Sequence, residues 1–308
     1  MRILITGGAG FIGSNLARRG IKDGHEIRII DDLSTGYKEN IETLDLDFRE
    51  ASFLDDSKLA DAVEKVDAVV HLGALGSVPR SIKEPMATHE VNARGTLNVI
   101  LAARDAGVPH LSVASSSAVY GMNPAMPKSE REWVRAMSPY AVSKLATEQY
   151  ALAAQQSYGM STIAFRFFNV YGPRQRADHA YAAVIPIFLD AIFKGQPLPI
   201  NGDGSNSRDF THVDAVCAVL LDAAVRNVSH PEPVNLAFGT NTTLLALVEQ
   251  LAEVSGLPVE IEHHDSRPGD VAHSQAANSS LQRLFPEVAS VPLAAGLAGT
   301  IKWMSEGH

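Results

Sequence analysis

The stretch RILITGGAGFIGSNLA, residues 2–17, constrains this chain more than any other. Ile3, Leu4 and Ile5 read as a buried strand, and from Phe11 the apolar pattern takes the 3.6-residue period of a helix. Gly7, Gly10 and Gly13 sit between the two. In that context the first glycine permits a tight turn, the second a close approach of backbone to a ligand, and the third close packing of helix on strand. A helix N-terminus exposed in this way attracts anions. The turn therefore predicts a phosphate cradle formed by Gly7, Gly10, Phe11, Ile12 and Gly13.

The pattern continues into a second strand ending at Asp31, where a carboxylate can accept hydrogen bonds from ribose hydroxyls. A 2′-phosphate there would meet Asp31 and Asp32 with no arginine beside them in sequence, so the expected dinucleotide is NAD rather than NADP. Further strand patterns, DAVVHL, HLSVAS and STIAFRFF, alternate with helical ones over 11–23, 56–63, 87–106 and 139–158. This order predicts an α/β fold: a doubly wound parallel sheet with helices on both faces. After Tyr171 the texture breaks into Gly- and Pro-rich loops and isolated helices over 182–193, 213–226, 244–255 and 293–304. The expected division is a nucleotide-binding domain over 1–170, with segments returning near 210–240, and a smaller mixed α/β substrate domain over 171–308.

Composition narrows what such a fold serves. The 308 residues carry 26 Lys and Arg against 35 Asp and Glu, a net charge of -9, with no basic stripe to track a nucleic acid. The single cysteine, Cys217, lies in the apolar run DAVCAVLL, which excludes an internal disulfide framework and suits a reducing cytoplasm. The chain opens on a strand rather than on a basic stretch and a long apolar segment, so neither a leader peptide nor a membrane span is expected. His263 and His264 are adjacent, so in a strand they face opposite ways and do not form a metal site.

The chemistry concentrates in two segments. In MSPYAVSKLATEQYA, Tyr140 and Lys144 are four apart on one helix face, so the ammonium can favour the phenolate. In VASSSAVYG, Ser115, Ser116 and Ser117 stand at the carboxyl end of a parallel strand, the edge where ligands bind in open α/β sheets. A serine there can hold a substrate hydroxyl while the tyrosine removes its proton.

Together, G-x-x-G-x-x-G, the serines before VYG and Y-x-x-x-K resemble the extended short-chain dehydrogenase/reductases, a Rossmann-fold family. Within it, LGSVPRSI, ASSSAVYG, SPYAVSK, FRFFNVYGPRQ, INGDGSNSRDF and RPGDVAHSQA are most similar to the UDP-hexose 4-epimerases, especially those acting on UDP-N-acetylhexosamines. The resemblance implies NAD as cofactor, a UDP-sugar as substrate and a homodimer. It assigns catalysis to Ser116, Tyr140 and Lys144, with inversion at C4 through a transient 4-keto sugar. It implies adenine contacts from Asp47 and Phe48, and cofactor contacts from Leu72, Gly73, Ala74 and Asn92, besides Tyr140 and Lys144. For substrate it implies Ser77, Ser116, Ser117, Asn169, Ala183 and Val184. It adds Asn201, Arg208, Arg267 and Asp270, the two arginines suiting a buried diphosphate. Taken alone, those arginines could equally form surface pairs with Asp209 or Asp265.

Rival functions remain at this stage. A 4,6-dehydratase would need an acid and a base after Ser116, where Ser117 and Ala118 stand. UDP-glucuronate 4-epimerisation or decarboxylation needs a pocket that tolerates a carboxylate. A regulator that binds NAD without catalysis is a third class, discriminated by turnover. On the acetamido question, family members that exclude N-acetyl sugars carry a bulky tyrosine shortly after RxGD, where this chain has Ser274, or His273 if the alignment slips by one.

Overall fold

The computed structural model describes residues 1–177, 182–265 and 272–306. Seven parallel strands form the central sheet: β1 (Arg2–Thr6), β2 (Glu26–Asp31), β3 (Asp47–Glu50), β4 (Ala68–His71), β5 (His110–Ser116), β6 (Ser161–Phe167) and β11 (Val234–Leu236). Their order is β11-β6-β5-β4-β1-β2-β3. It reverses direction at β1, between β4 and β2, and so creates a crevice at the carboxyl edge.

The strands alternate between the two faces. Ile3, Ile5, Ile27, Ile29 and Val70 pack into one apolar layer under α1 (Phe11–Lys22) and α8 (Val213–Val225), while Leu4, Ile30 and Val69 pack into the other. That second layer is covered by α2 (Asp56–Val63), α5 (Gly95–Asp105) and α6 (Pro139–Tyr158). The bounds of α6 follow from local chemistry. Ser138 caps it, accepting from the Ala141 N–H at 3.1 Å, Pro139 occupies its first position, and Gly159 ends it in the left-handed conformation.

The helix expected over 87–106 is three pieces in one run: α4 (Pro85–His89), a π-helical turn over Glu90–Arg94, and α5. Asn92 explains the widened turn. Its side chain accepts from Leu75 N at 2.8 Å and donates to Leu75 O at 3.2 Å, and its own carbonyl accepts from the Thr96 and Thr147 hydroxyls. The short α3 (Val78–Lys83) precedes it and packs on α6.

Beyond β6 the chain builds a second apolar cluster from α7 (Val184–Phe193), α9 (Leu244–Ser255) and α11 (Leu293–Ser305). Short strands connect it: β7 (Val170–Tyr171) pairs with β10 (Thr211–His212), β8 (Leu198–Asn201) with β13 (Ile261–His264), and β9 (Ser207–Arg208) with β12 (Thr242–Thr243). The helix α10 (Ser279–Leu284) returns to the sheet beside β11. Among the described residues no helix is long and apolar enough to cross a membrane, and no cluster of side chains could hold a metal ion.

Candidate active site

The β1–α1 turn has the shape its glycines predict. Gly7 has a φ of 69°, and a Cβ added to it would lie 2.7 Å from the Gly73 backbone, so the loop after β4 closes directly over the turn. Gly10 caps α1 without any side-chain hydrogen bond, and the first turn of the helix holds no acidic residue. The leading N–H groups therefore face outward at the positive end of the helix dipole, where a pyrophosphate fits.

From this turn a cavity of about 640 Å³ runs along the carboxyl edge of the sheet. Gly7, Gly10, Phe11, Ile12 and Gly13 line one end, with Asp31 and Asp32 beside them. Leu72, Gly73, Ala74 and Ser77 line the middle, and Ser116, Tyr140 and Lys144 the other end. The Asp31 carboxylate accepts from Ala9 N and Leu33 N, each at 2.9 Å. Burial nevertheless raises its pKa, so a donating ribose hydroxyl would be welcome there.

At that other end, α6 lays Tyr140 and Lys144 over the end of β5. Burial raises the Tyr140 pKa, and the Ser116 hydroxyl, as hydrogen-bond partner, pulls it back. Burial lowers the Lys144 pKa to about 8, and its ammonium donates to Ala114 O at 2.8 Å. Without a cofactor the phenol is thus favoured over the phenolate.

Two adenine contacts need correction. Asp47 and Phe48 lie at the start of β3, away from the carboxyl edge, and Asp47 pairs with Arg28 at 2.7 Å and Arg49 at 2.8 Å. Phe48 packs into the sheet core. Ser52 and Phe53, just past the strand's end, line the cavity instead. Asn92 is buried behind the wall, donating to Ser143 Oγ at 2.9 Å while holding Leu75, so it braces the cavity without lining it.

Of the substrate residues, Ser77 and Ser116 line this cavity, whereas Ser117, Asn169, Ala183, Val184, Asn201 and Arg208 lie outside its wall. Asn169 has a φ of 31° and donates to Asp209 O at 3.4 Å, and Arg208 donates to Ser207 O and Ala272 O. Asp209 is fully buried and accepts from Gly239 N, Thr240 and Ala276 N. Ala183 caps α7, Val184 begins it, and Asn201 ends β8. Arg267 and Asp270 fall outside the described residues. His273 is engaged by the Ser207 hydroxyl at 2.8 Å, and half-buried Ser274 donates its N–H to Ser207 O at 3.0 Å.

The sequence reading missed Arg80 and Tyr37 in the cavity wall. Arg176, from beyond β7, stacks over the Tyr37 ring at 3.8 Å and pairs with Glu39 at 3.7 Å, so an arginine does reach that corner from a distant part of the chain. Ser52 and Phe53 carried a usable signal, because ligands gather past the carboxyl ends of strands. Arg176 carried none.

A family model described as the NAD dependent epimerase/dehydratase family matches residues 3–237. The chain belongs to that family. UDP-glucose 4-epimerase of Mycolicibacterium smegmatis is 36% identical over 98% of this chain and 98% of its own. The probable UDP-glucuronate 4-epimerase of Rhizobium meliloti is 29% identical over 100% of this chain and 98% of its own. Among solved structures, UDP-N-acetylglucosamine 4-epimerase from Methanobrevibacter ruminantium M1, in complex with UDP-N-acetylmuramic acid, superposes with a TM-score of 0.94. It is 35% identical, covering 100% of this chain and 99% of that one. The extended short-chain dehydrogenase/reductase resemblance and the doubly wound fold thus hold, and as a member of this epimerase/dehydratase family the protein is an NAD-dependent enzyme.

Proposed function

We propose that this protein is an NAD-dependent UDP-hexose 4-epimerase that interconverts UDP-glucose and UDP-galactose, and UDP-N-acetylglucosamine and UDP-N-acetylgalactosamine. The observation that carries the reading is the convergence of Ser116, Tyr140 and Lys144 in the same cavity as the glycine turn and Asp31. Ser116 holds the 4-hydroxyl, and Tyr140 Oη removes its proton and later returns it to the 4-keto oxygen. Lys144, tethered to Ala114 O, keeps a positive charge in the same cavity as the phenol near neutral pH. Bound NAD supplies the hydride acceptor, and as a cation it favours the phenolate. Ser274, small and half-buried, leaves room for an acetamido group, while Arg208, Arg267, Asp270, Asn169, Ala183, Val184 and Asn201 hold the UDP moiety and hexose.

The same reading divides the chain near residue 170 into cofactor and substrate domains. It includes a cytoplasmic homodimer, supported by apolar Ile82 (65% exposed), Met86 (70%) and Val142 (55%) on α3, α4 and α6. A second reading, UDP-glucuronate 4-epimerisation, is favoured by Arg80. It lies in the cavity wall, and among the described residues its guanidinium has no ion-pair partner, as a sugar carboxylate would require.

The test is anomeric-proton NMR of purified protein with UDP-glucose, UDP-N-acetylglucosamine and UDP-glucuronate in turn. Conversion at C4 of both neutral sugars is expected. Conversion of glucuronate alone moves the assignment to the second reading, and conversion of none sinks both.

A further inference from the structure

Three consecutive residues at the end of β5 are each held by α6. Ala114 O accepts from Lys144 Nζ at 2.8 Å, Ser116 partners Tyr140, and Ser115 Oγ donates to Glu148 Oε2 at 3.1 Å. The helix residues are Tyr140, Lys144 and Glu148, spaced four apart on one face. Glu148 is fully buried and lies one turn beyond the lysine. Its carboxylate is met by both arms of Arg166, Nε at 2.8 Å to Oε2 and Nη2 at 2.7 Å to Oε1. Arg166 is on β6 and pairs in register with Ser115 on β5.

The arginine also reaches outward. It stacks over the Tyr120 ring at 4.7 Å and donates to Glu130 O at 3.2 Å, while Tyr120 donates to Asn235 Oδ1 at 2.7 Å. Asn235 in turn binds Lys128 O and the Glu130 carboxylate. One fork-to-fork ion pair thus ties the catalytic helix, the end of the catalytic strand and the segment over 128–130.

We propose that Glu148 and Arg166 are positioning residues for the Ser116–Tyr140–Lys144 centre, fixing α6 against the end of β5 and presenting a balanced charge pair to the tyrosine. This rests on the role given to Tyr140 above. Two turns of helix, about 12 Å, separate residue 148 from 140, so an unbalanced charge there shifts the tyrosine by about one pH unit at an effective dielectric of about 20.

Other charged and titratable groups face the centre. His71 on β4 faces Lys144 and is held neutral by burial, its pKa lowered to about 3. Arg80 of α3 shares the cavity, and Asp31 and Asp32 line its far end. Facing the pair itself are Tyr120, Glu130, Ser115 and the Gln149 amide at 3.4 Å.

The experiment titrates Tyr140 in the NAD-loaded protein, as phenolate absorbance in the ultraviolet minus that of the Tyr140→Phe protein, alongside the pH profile of kcat. Glu148→Gln leaves Arg166 unbalanced and is expected to move the titration about one unit down. Arg166→Met leaves the carboxylate unbalanced and is expected to move it up by a similar amount, and the double variant returns it close to wild type. Glu148→Asp, which keeps the charge on a shorter arm, is expected to leave the titration in place while lowering kcat about tenfold with KM unchanged. Shifts in the same direction, or none, overturn the proposal and leave the pair a packing feature. Should wild-type protein convert no UDP-hexose while the tyrosine still shifts in opposite directions, the positioning role stands and only the substrate reading falls.

Discussion

The two ends of the cavity are built from different materials. The core of the glycine end is backbone: Gly7, Gly10 and Gly13, with the leading N–H groups of α1, within one stretch of sequence. The opposite end, where we place the chemistry, is side chain: Ser116 from β5, Tyr140 and Lys144 from α6, with Arg166 of β6 bonded to Glu148 on the same helix. A backbone site tolerates no added atom, and one short turn supplies its N–H donors. A side-chain site depends on how three elements dock. The first fails by steric exclusion, the second by loss of alignment or of a proton.

Four substitutions sharpen that contrast. Tyr140→Phe has the largest expected effect: kcat falls about 10²- to 10⁴-fold, the usual worth of a general acid–base group. NAD binding and melting temperature stay close to wild type, as measured by NMR turnover, fluorescence titration and calorimetry. Turnover within tenfold of wild type would remove the tyrosine from the mechanism.

Gly13→Ala comes next. Its Cβ would lie 2.7 Å from Gly8 Cα and collide with Gly7 O, so either helix or turn must move. We expect a cost of about 1–3 kcal/mol in stability, typical of overpacking, and NAD affinity at least about tenfold weaker. An unchanged titration with NAD would show that the turn is not a backbone cradle.

The smallest effect belongs to Asp47→Asn. Asp47, held below the usual carboxylate range, is bonded by exposed Arg49 and by nearly buried Arg28, which keeps its backbone acceptors Ala62 O and Glu64 O, so stability should change by about 1 kcal/mol. NAD affinity should not change, whereas Phe53→Ala should lower it. A reversed result would restore the adenine corner to the start of β3.

Legibility followed the same division. The glycine turn and α6, with Ser138, Pro139 and Gly159 marking its bounds, were plain in the sequence because their signals are local. The strand β3, DFRE, was not. It is a polar edge strand without alternation, so no pattern marked its end, beyond which Ser52 and Phe53 meet the cavity. The three-residue β11 was hidden for a similar reason: it is too short to show a period. Arg166 lies inside the strand pattern STIAFRFF, and only the register of β6 on β5 brings it to Glu148. The π-helical turn at Asn92 was invisible because its cause, the Leu75 backbone, lies in another loop.

That turn carries one residue more than an α-helical path needs. Deleting a single residue between Glu90 and Arg94 would let an unbroken α-helix follow the same path, keeping α3 and α4 on their seat against α6. What would be lost is the widened turn itself, and with it the place from which Asn92 grips the Leu75 backbone beside the cavity. The extra residue thus serves what one side chain holds rather than the course of the helix.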